Sequence, residues 1–224
     1  MPETELPFYL LPGMAPNYPV YSRLLPLLPN TRVVTYRTPA RGDTLVSYAR
    51  RMAKQFPSRS IIIGTSFGGV LAQEICRSIQ PLACILISTI KHPSELPPQL
   101  KLCRIMGGEN CVAMLQLLGT LASVFPRALS TNVTIAARGH LGDAASWRYW
   151  AMRAILDWRP TSTPIQSPLL HLHGSEDATF PVRYTQPCAV VPGGKHALPV
   201  SNPEETAHAI LGFVNRIGIQ DDSG

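Results

Sequence analysis

The residue in this sequence best suited to chemistry is a serine flanked by glycines. It is Ser66, in the run Gly64-Thr65-Ser66-Phe67-Gly68, and three isoleucines precede the run. The pattern Gly-x-Ser-x-Gly between a strand and a helix is typical of a sharp turn that presents a nucleophilic hydroxyl, and the glycines leave room for the turn. Because a serine hydroxyl is a weak nucleophile, the pattern predicts a nearby base and a third group that orients the base. An ordinary turn rich in small residues is the alternative interpretation.

A carboxylate candidate follows a later apolar run. Asp177 lies in a polar loop just after Gly174, and the apolar run Leu169–Leu172 comes shortly before that loop. A carboxylate just beyond the carboxyl end of a strand is well placed to hold an imidazole. Asp177 is therefore the predicted orienting acid, and Glu176 is the alternative. The alternative interpretation is that Asp177 is an ordinary solvated loop residue with no catalytic role.

The predicted base is His196. It ends the run Gly193-Gly194-Lys195-His196, which lies between the last apolar run and the last helical pattern. This position brings His196 to the same sheet edge as Ser66 and Asp177. It also completes the chain order serine, acid, histidine that accompanies such a serine turn.

The five other histidines are weaker candidates for the base. His171 lies inside an apolar run and is predicted to pack in the core, and His208 lies on the surface of the last helix. His173, at the end of the same run as His171, could line the site. His140 lies in a long helical span. His92 follows the fourth apolar run and is predicted to contact substrate.

Acyl transfer also needs hydrogen-bond donors aimed at the developing oxyanion. The first predicted donor is the backbone N–H of Phe67, the residue after the serine. The second is the N–H of Met14 in the loop Leu11-Pro12-Gly13-Met14-Ala15, where Gly13 allows a tight turn. A simple turn is the alternative interpretation of that loop.

These residues need a scaffold that brings them to one edge, and the apolar runs predict it. Near-continuous apolar strands that alternate with helical patterns indicate a parallel sheet covered on both faces. The predicted strands are Phe8–Leu11, Arg32–Tyr36, Ser60–Ile63, Ala83–Ser88, Leu169–Leu172 and Cys188–Val191. The predicted helices of this core are Tyr18–Leu28, Thr44–Phe56, Phe67–Ile79 and a last helix from Pro203 to about Ile217.

The span 92–160 interrupts this alternation, because it contains no convincing strand. Within it, Cys111–Phe125 and Asp143–Trp158 are predicted to be helices. A connection this long must have structure of its own. We therefore expect one domain over 1–224, with a helical cap over 92–160 that lies above the carboxyl edge of the sheet.

Composition excludes several other classes. The chain has 224 residues and a formal net charge of +6, but no basic stripe with interleaved aromatics, so nucleic-acid binding is not expected. No apolar run approaches the about 20 residues of a membrane-spanning helix, so no membrane partner is expected. Five cysteines without metal-ligand spacing, and no recognisable signal peptide, predict a reducing, cytoplasmic location.

Taken together, the serine turn, the acid loop, the Gly-Gly-Lys-His loop and the Leu-Pro-Gly-Met loop resemble those of the α/β-hydrolase family. The resemblance spans nearly the whole chain. It implies a mostly parallel, doubly wound sheet of about six strands with a helical cap, without the amino-terminal hairpin that members of the fold often have. The loop Leu-Pro-Gly also departs from the His-Gly that is common in the family.

The resemblance implies hydrolysis of a carboxylic ester or thioester through an acyl-enzyme on Ser66. Asp177 would orient His196, and no metal or organic cofactor would be needed. The fold also hosts non-catalytic binding proteins and triad enzymes of other chemistry, such as C–C hydrolases and cofactor-free haloperoxidases, and these are the alternatives.

Residues of the span 92–160 are also predicted to contact the substrate. Trp147 and Trp150, with Trp158, could line an apolar acyl pocket, although packing between cap and core explains them equally well. The span 92–160 carries seven basic and four acidic residues. This excess of positive charge resembles that of esterases acting on carrier-bound esters, and it suggests an acidic carrier protein or coenzyme A as partner. A solvated surface is the alternative.

Overall fold

Six parallel strands form one sheet in the computed structural model, which describes residues 6–14, 18–106 and 143–218. The order across the sheet is β2-β1-β3-β4-β5-β6, and every neighbouring pair is parallel. The predicted fold class is confirmed. The strands are β1 (Phe8–Leu11), β2 (Thr31–Val33), β3 (Ile61–Thr65), β4 (Ala83–Ile87), β5 (Leu169–Gly174) and β6 (Ala189–Val191).

Alternation along the strands divides the core into two layers. Successive side chains of a strand point to opposite faces, so Ile62 of β3 packs on one face while Ile61 and Ile63 pack on the other. All five residues of β3 and of β4 are buried. Strands buried on both faces are typical of parallel sheets covered by helices on each side.

Seven helices are described. They are α1 (Leu45–Ala53), α2 (Phe67–Ile79), α3 (Pro98–Met106), α4 (Asp143–Leu156), α5 (Val182–Thr185), α6 (Leu198–Ser201) and α7 (Pro203–Arg216). Helices α1, α2 and α4 cover one face of the sheet, and α6 and α7 cover the other. Thr44 caps α1 by accepting from the N–H of Ser47, whose hydroxyl accepts in return from the N–H of Thr44.

Two predicted elements differ substantially from the structure, and the ends of several others shift by up to about three residues. The predicted helix Tyr18–Leu28 is wrong, because the segment forms two short 3-10 helices, Tyr18–Tyr21 and Leu25–Leu27. Pro26 explains the break, since it lacks an N–H and its ring clashes with the preceding turn of an α-helix. The second strand ends at Val33 rather than Tyr36, and Tyr36 instead donates a hydrogen bond to Pro12 O in the loop after β1.

Two helices of the span 92–160 are described, α3 and α4. Helix α4 and the following Trp158 pack into the α1–α2 side of the core, where Trp158 is 1% exposed. The predicted helix Cys111–Phe125 lies outside the described residues, so the cap stays a prediction. No described helix has both the length and the apolar character needed to cross a membrane.

Close backbone packing holds the start of α2 against two neighbouring segments. A Cβ added to Gly68 would lie 2.1 Å from Leu11 O and 2.4 Å from Pro12 O. A Cβ added to Gly64 would lie 2.3 Å from Gly68 O. These distances are far below van der Waals contact, so only glycine fits at either position.

This packing makes Gly68→Ala severely destabilising. Its methyl group would meet backbone atoms, which cannot rotate away, so we expect the free energy of unfolding in urea to fall by more than about 3 kcal/mol. The matched control is Gly212→Ala in α7, where an added Cβ has no neighbour within 4 Å. That variant should be stabilised by about 1 kcal/mol through helix propensity. Equal stability of the two variants would contradict the packing argument.

Candidate active site

Ser66 lies at the sharp turn between β3 and α2. Its backbone has φ 55° and ψ −119°, a conformation that side chains other than glycine rarely adopt. Its N–H donates to Ile87 O (2.9 Å), and its C=O accepts from Gly69 N (2.9 Å), from Val70 N (3.3 Å) and from Thr89 Oγ1 (2.7 Å). The surrounding structure therefore maintains a strained turn of the kind predicted from the sequence.

The structure brings together Ser66, His196 and Asp177, the three residues predicted to act in sequence. His196 Nε2 lies 2.9 Å from Ser66 Oγ. Its other ring nitrogen, Nδ1, lies 2.8 Å from Asp177 Oδ2 and 3.0 Å from Oδ1. Because a carboxylate only accepts, Nδ1 carries the proton in the neutral ring, and Nε2 is left to accept from the serine hydroxyl.

The loop that carries Asp177 and the loop that carries His196 are held together by hydrogen bonds donated by main-chain N–H groups. Glu176 N donates to Gly194 O (2.8 Å), and Gly193 N donates to Ser175 Oγ (2.8 Å). A Cβ added to Gly174 would lie 2.2 Å from Gly194 O, so the two loops touch at these glycines. The spacing between the Asp177 and His196 side chains follows from this contact.

Asp177 is a buried carboxylate with many donors. It is 3% exposed, and its Oδ1 accepts from the N–H groups of Thr179 and Phe180, both at 2.8 Å. Burial raises its pKa, but the hydrogen bonds from His173 and His196 outweigh burial, and the pKa lies below its usual range. Asp177 is therefore ionised near neutral pH, as an orienting acid must be. The alternative acid, Glu176, is exposed.

The side chains of three aromatic residues form hydrogen bonds with the main chain of the loop after β1. Tyr36 donates its hydroxyl to Pro12 O (2.5 Å), Gly13 N donates to Tyr21 Oη (3.3 Å), and Trp147 Nε1 donates to Met14 O (2.9 Å). The loop lies beside the serine, since a Cβ on Gly13 would lie 3.6 Å from Ser66 Cβ.

The two predicted oxyanion donors are on segments next to Ser66. The Gly13 N–H already has an acceptor in Tyr21, which is compatible with Met14 supplying the free N–H. Phe67 is the first residue of α2, where backbone N–H groups have no acceptor within the helix. The Phe67 ring itself is fully buried, and the role of the Met14 and Phe67 N–H groups stays a prediction.

The indole N–H groups of the predicted substrate contacts bond to the protein. Trp147 stacks on Tyr36 with ring centroids 4.8 Å apart, and Trp150 Nε1 donates to Asp43 O (3.2 Å). Both rings are partly exposed. His92 is exposed, and its Nδ1 accepts from Ser94 N (3.2 Å), which caps a short 3-10 helix. Contact of Trp147, Trp150 or His92 with substrate stays a prediction.

Sequence reasoning missed His173 as a partner of the orienting acid. Its Nε2 lies 3.0 Å from Asp177 Oδ2, and its side chain is fully buried, as is that of His171. The alternation of β5 contained a signal: Leu170 and Leu172 face one layer of the core, which leaves two histidines facing the other. Two buried histidines on one strand face indicate a polar network, because buried polar groups need partners.

Comparison with known proteins agrees with this architecture. A model described as the alpha/beta hydrolase family matches residues 8–209. The pimeloyl-[acyl-carrier protein] methyl ester esterase of Aromatoleum aromaticum is 25% identical over 231 residues, which cover 87% of this chain and 92% of that protein.

Solved structures are similar in fold at lower identity. A thermophilic esterase from Thermogutta terrifontis superposes with a TM-score of 0.68 at 19% identity, covering 96% of this chain and 91% of that one. The type II thioesterase BorB of the borrelidin biosynthetic cluster gives a TM-score of 0.60 at 18% identity, with coverages of 96% and 94%.

Acid should destabilise the protein partly through His171. Burial, with the nearby charge of Lys91, lowers its pKa to about 3, whereas an unfolded histidine titrates near 6.5. Between these values the unfolded chain binds a proton that the folded chain does not, so stability falls as pH falls. From pH 7 to pH 5 the loss from this group is about 2 kcal/mol.

The check is urea unfolding of the wild type and of His171→Gln at both pH values. Glutamine keeps a donor but does not titrate, so the pH-dependent loss should be smaller in the variant by about 2 kcal/mol. The same loss in both proteins would mean that His171 does not titrate as its burial implies.

Proposed function

The chain belongs to the alpha/beta hydrolase family, and we propose that within it this protein is a serine hydrolase that cleaves a carboxylic ester or thioester. The observation that carries the proposal is the continuous hydrogen-bonded line from Ser66 Oγ through the His196 ring to Asp177, with distances of 2.9 Å and 2.8 Å. A nucleophile, a base in contact with it and an acid that orients the base are what acyl transfer requires.

The reaction begins with attack of Ser66 Oγ on the substrate carbonyl carbon. The serine proton passes to His196 Nε2, and a new C–O bond forms as the carbonyl π-electrons move to oxygen. Collapse of this intermediate breaks the bond to the alcohol or thiol, which leaves with the proton from His196. Water then attacks the acyl-enzyme with His196 again as base, so the net reaction adds one water across the bond. Asp177 stays ionised throughout.

The oxyanion of each intermediate would be held by the N–H groups of Met14 and Phe67. Donors fixed before the reaction stabilise developing charge without reorganisation. The three aromatic ties on the loop Pro12-Gly13-Met14 support this role, because they fix the backbone from which the Met14 N–H projects.

The substrate class is supported by one relative. The similarity to a pimeloyl-[acyl-carrier protein] methyl ester esterase favours an acyl ester, and it makes an acidic carrier protein a reasonable source of the acyl group. Lys101 and Arg104 on α3, with Arg148 on α4, provide positive charge in the proposed cap. Electrostatic attraction of this kind increases the rate of encounter with an acidic partner.

The proposal is tested by labelling with a fluorophosphonate, read by mass spectrometry, beside turnover of p-nitrophenyl esters of increasing chain length. We expect the label on Ser66, a preferred chain length, and loss of both signals in Ser66→Ala, because only the Oγ can form the covalent bond. Labelling without ester turnover would favour C–C bond cleavage or halogenation. A folded wild type that takes no label would contradict the proposal and favour a binding protein.

Trp147→Phe tests the support of the oxyanion loop. Phenylalanine keeps an aromatic ring but removes the donor to Met14 O, so the donor geometry loosens. We expect kcat on a p-nitrophenyl ester to fall roughly 3- to 10-fold, less than the loss of a whole oxyanion donor, with KM little changed. The matched control is Tyr9→Phe, in a ring that packs edge-on against Phe56. A fall in kcat of the same size in both variants would remove the argument.

A further inference from the structure

A second histidine contacts the orienting acid from inside the sheet. His173 Nε2 lies 3.0 Å from Asp177 Oδ2 and 2.6 Å from Phe180 O. The side chains of His173 and Asp177 are both 0% exposed. The Oδ2 atom is thus shared by two imidazoles, His173 from β5 and His196 from the loop after β6.

Hydrogen-bond chemistry determines the state of His173. A carbonyl oxygen can only accept, so the nitrogen facing Phe180 O must carry a proton. His173 Nε2 therefore donates to Phe180 O, and the same protonated nitrogen lies within hydrogen-bonding distance of Asp177 Oδ2. Its Nδ1 faces His171 Nε2 at 3.4 Å, and His171 Nε2 must itself be a donor because it lies 3.0 Å from Thr89 O. Two donors cannot face each other, so His173 Nδ1 is unprotonated and the ring is neutral.

These contacts close a ring of hydrogen bonds that starts and ends at the serine. Thr89 Oγ1 donates to Ser66 O (2.7 Å), and Thr89 O accepts from His171. His171 faces His173, His173 donates to Asp177, and Asp177 accepts from His196. His196 then accepts from Ser66 Oγ. The backbone and the hydroxyl of one residue are joined through five side chains.

We infer that His173, backed by His171, is a positioning residue that fixes the rotation of the Asp177 carboxylate and thereby the tautomer and plane of His196. The inference rests on the proposed function for its effect on turnover. Oδ1 is held by the N–H groups of Thr179 and Phe180, whereas Oδ2 lies against two imidazoles, His196 at 2.8 Å and the fully buried His173 at 3.0 Å. His173 therefore fixes the second oxygen of the carboxylate, and His196 is presented against an acid that cannot turn.

The inference predicts a specific kinetic pattern. In His173→Phe the donor to Oδ2 is lost, and kcat on a p-nitrophenyl ester should fall roughly 10- to 100-fold, as expected when a reacting group is slightly misplaced. KM should change by less than about twofold, because the His173 side chain is fully buried. His173→Gln places an amide N–H near the position of Nε2, so it should recover much of the lost kcat.

Two controls separate positioning from stability. Ile210→Ala removes a buried side chain of α7 on the other face of the sheet, and it should destabilise the protein without lowering kcat at a temperature where it is folded. The second control is a spectroscopic measurement, which does not depend on enzymatic activity. In protein labelled with ¹⁵N-histidine, the ring nitrogen shifts report directly which nitrogen of each ring carries the proton.

The expected spectra show His173 protonated at Nε2 alone and His196 protonated at Nδ1 alone in the wild type. In folded His173→Phe, His196 should become a mixture of tautomers, and in His173→Gln it should keep the wild-type form. These results support the inference even if the wild type hydrolyses no ester, in which case the proposed function fails and the positioning role stands.

The inference is overturned by either of two results. One is a wild-type spectrum in which His173 carries its proton on Nδ1, or on both nitrogens, a result that is obtained even if neither variant folds. The other is a folded His173→Phe that keeps the wild-type tautomer of His196, together with unchanged kcat wherever the wild type is active.

Discussion

The placement of Ser66 relative to the loop after β1 depends on the close approach of backbone segments around this serine. The serine occupies a strained conformation with φ 55°, and it can do so because Gly64, Gly68 and Gly69 have no side chains to separate the surrounding chain segments. The start of α2 thereby touches the end of β1, and Ser66 lies beside the proposed oxyanion loop. Backbone strain of this kind persists only where the surroundings over-determine it.

The same principle operates at the acid and base loops. Gly174 and Gly194 let the two loops touch, and main-chain hydrogen bonds then set how far Asp177 lies from His196. Asp177 and His196 extend from these two loops, and His173 contacts Asp177 from β5. Each side chain that the proposed reaction uses is therefore placed by contacts made largely between main-chain atoms, which are insensitive to rotamer changes.

Much of this could be predicted from the sequence, since the relevant signals are local. The strand Phe8–Leu11 and the helix Phe67–Ile79 have the predicted bounds, because continuous apolar runs and a glycine-flanked serine specify them. Ser66, Asp177 and His196 could be proposed together because loops at the carboxyl ends of parallel strands share an edge. Pro26 also indicates locally that an α-helix cannot continue through it, but the helical spacing of the leucines around it favoured the wrong prediction of one helix over Tyr18–Leu28.

The features that could not be predicted from the sequence depend on contacts between residues that are distant along the chain. Nothing near Tyr36 or Trp147 indicates that both bond to the loop after β1, since the partners are distant along the chain. The role of His173 needed the register of β5 against its neighbours and the position of the Asp177 loop. Of the cap predicted over 92–160, the structure describes α3, α4 and the residues beside them.

The ties on the loop Pro12-Gly13-Met14 have a consequence for how this protein can diverge. All three are made to main-chain atoms of the loop, namely Pro12 O, Gly13 N and Met14 O. The side chain of Met14 takes no part in them. Mutation can therefore change the side chain at position 14 while the loop keeps its path. If the loop has the proposed oxyanion role, the surface that it presents to a substrate can change without a change in the position of the Met14 N–H.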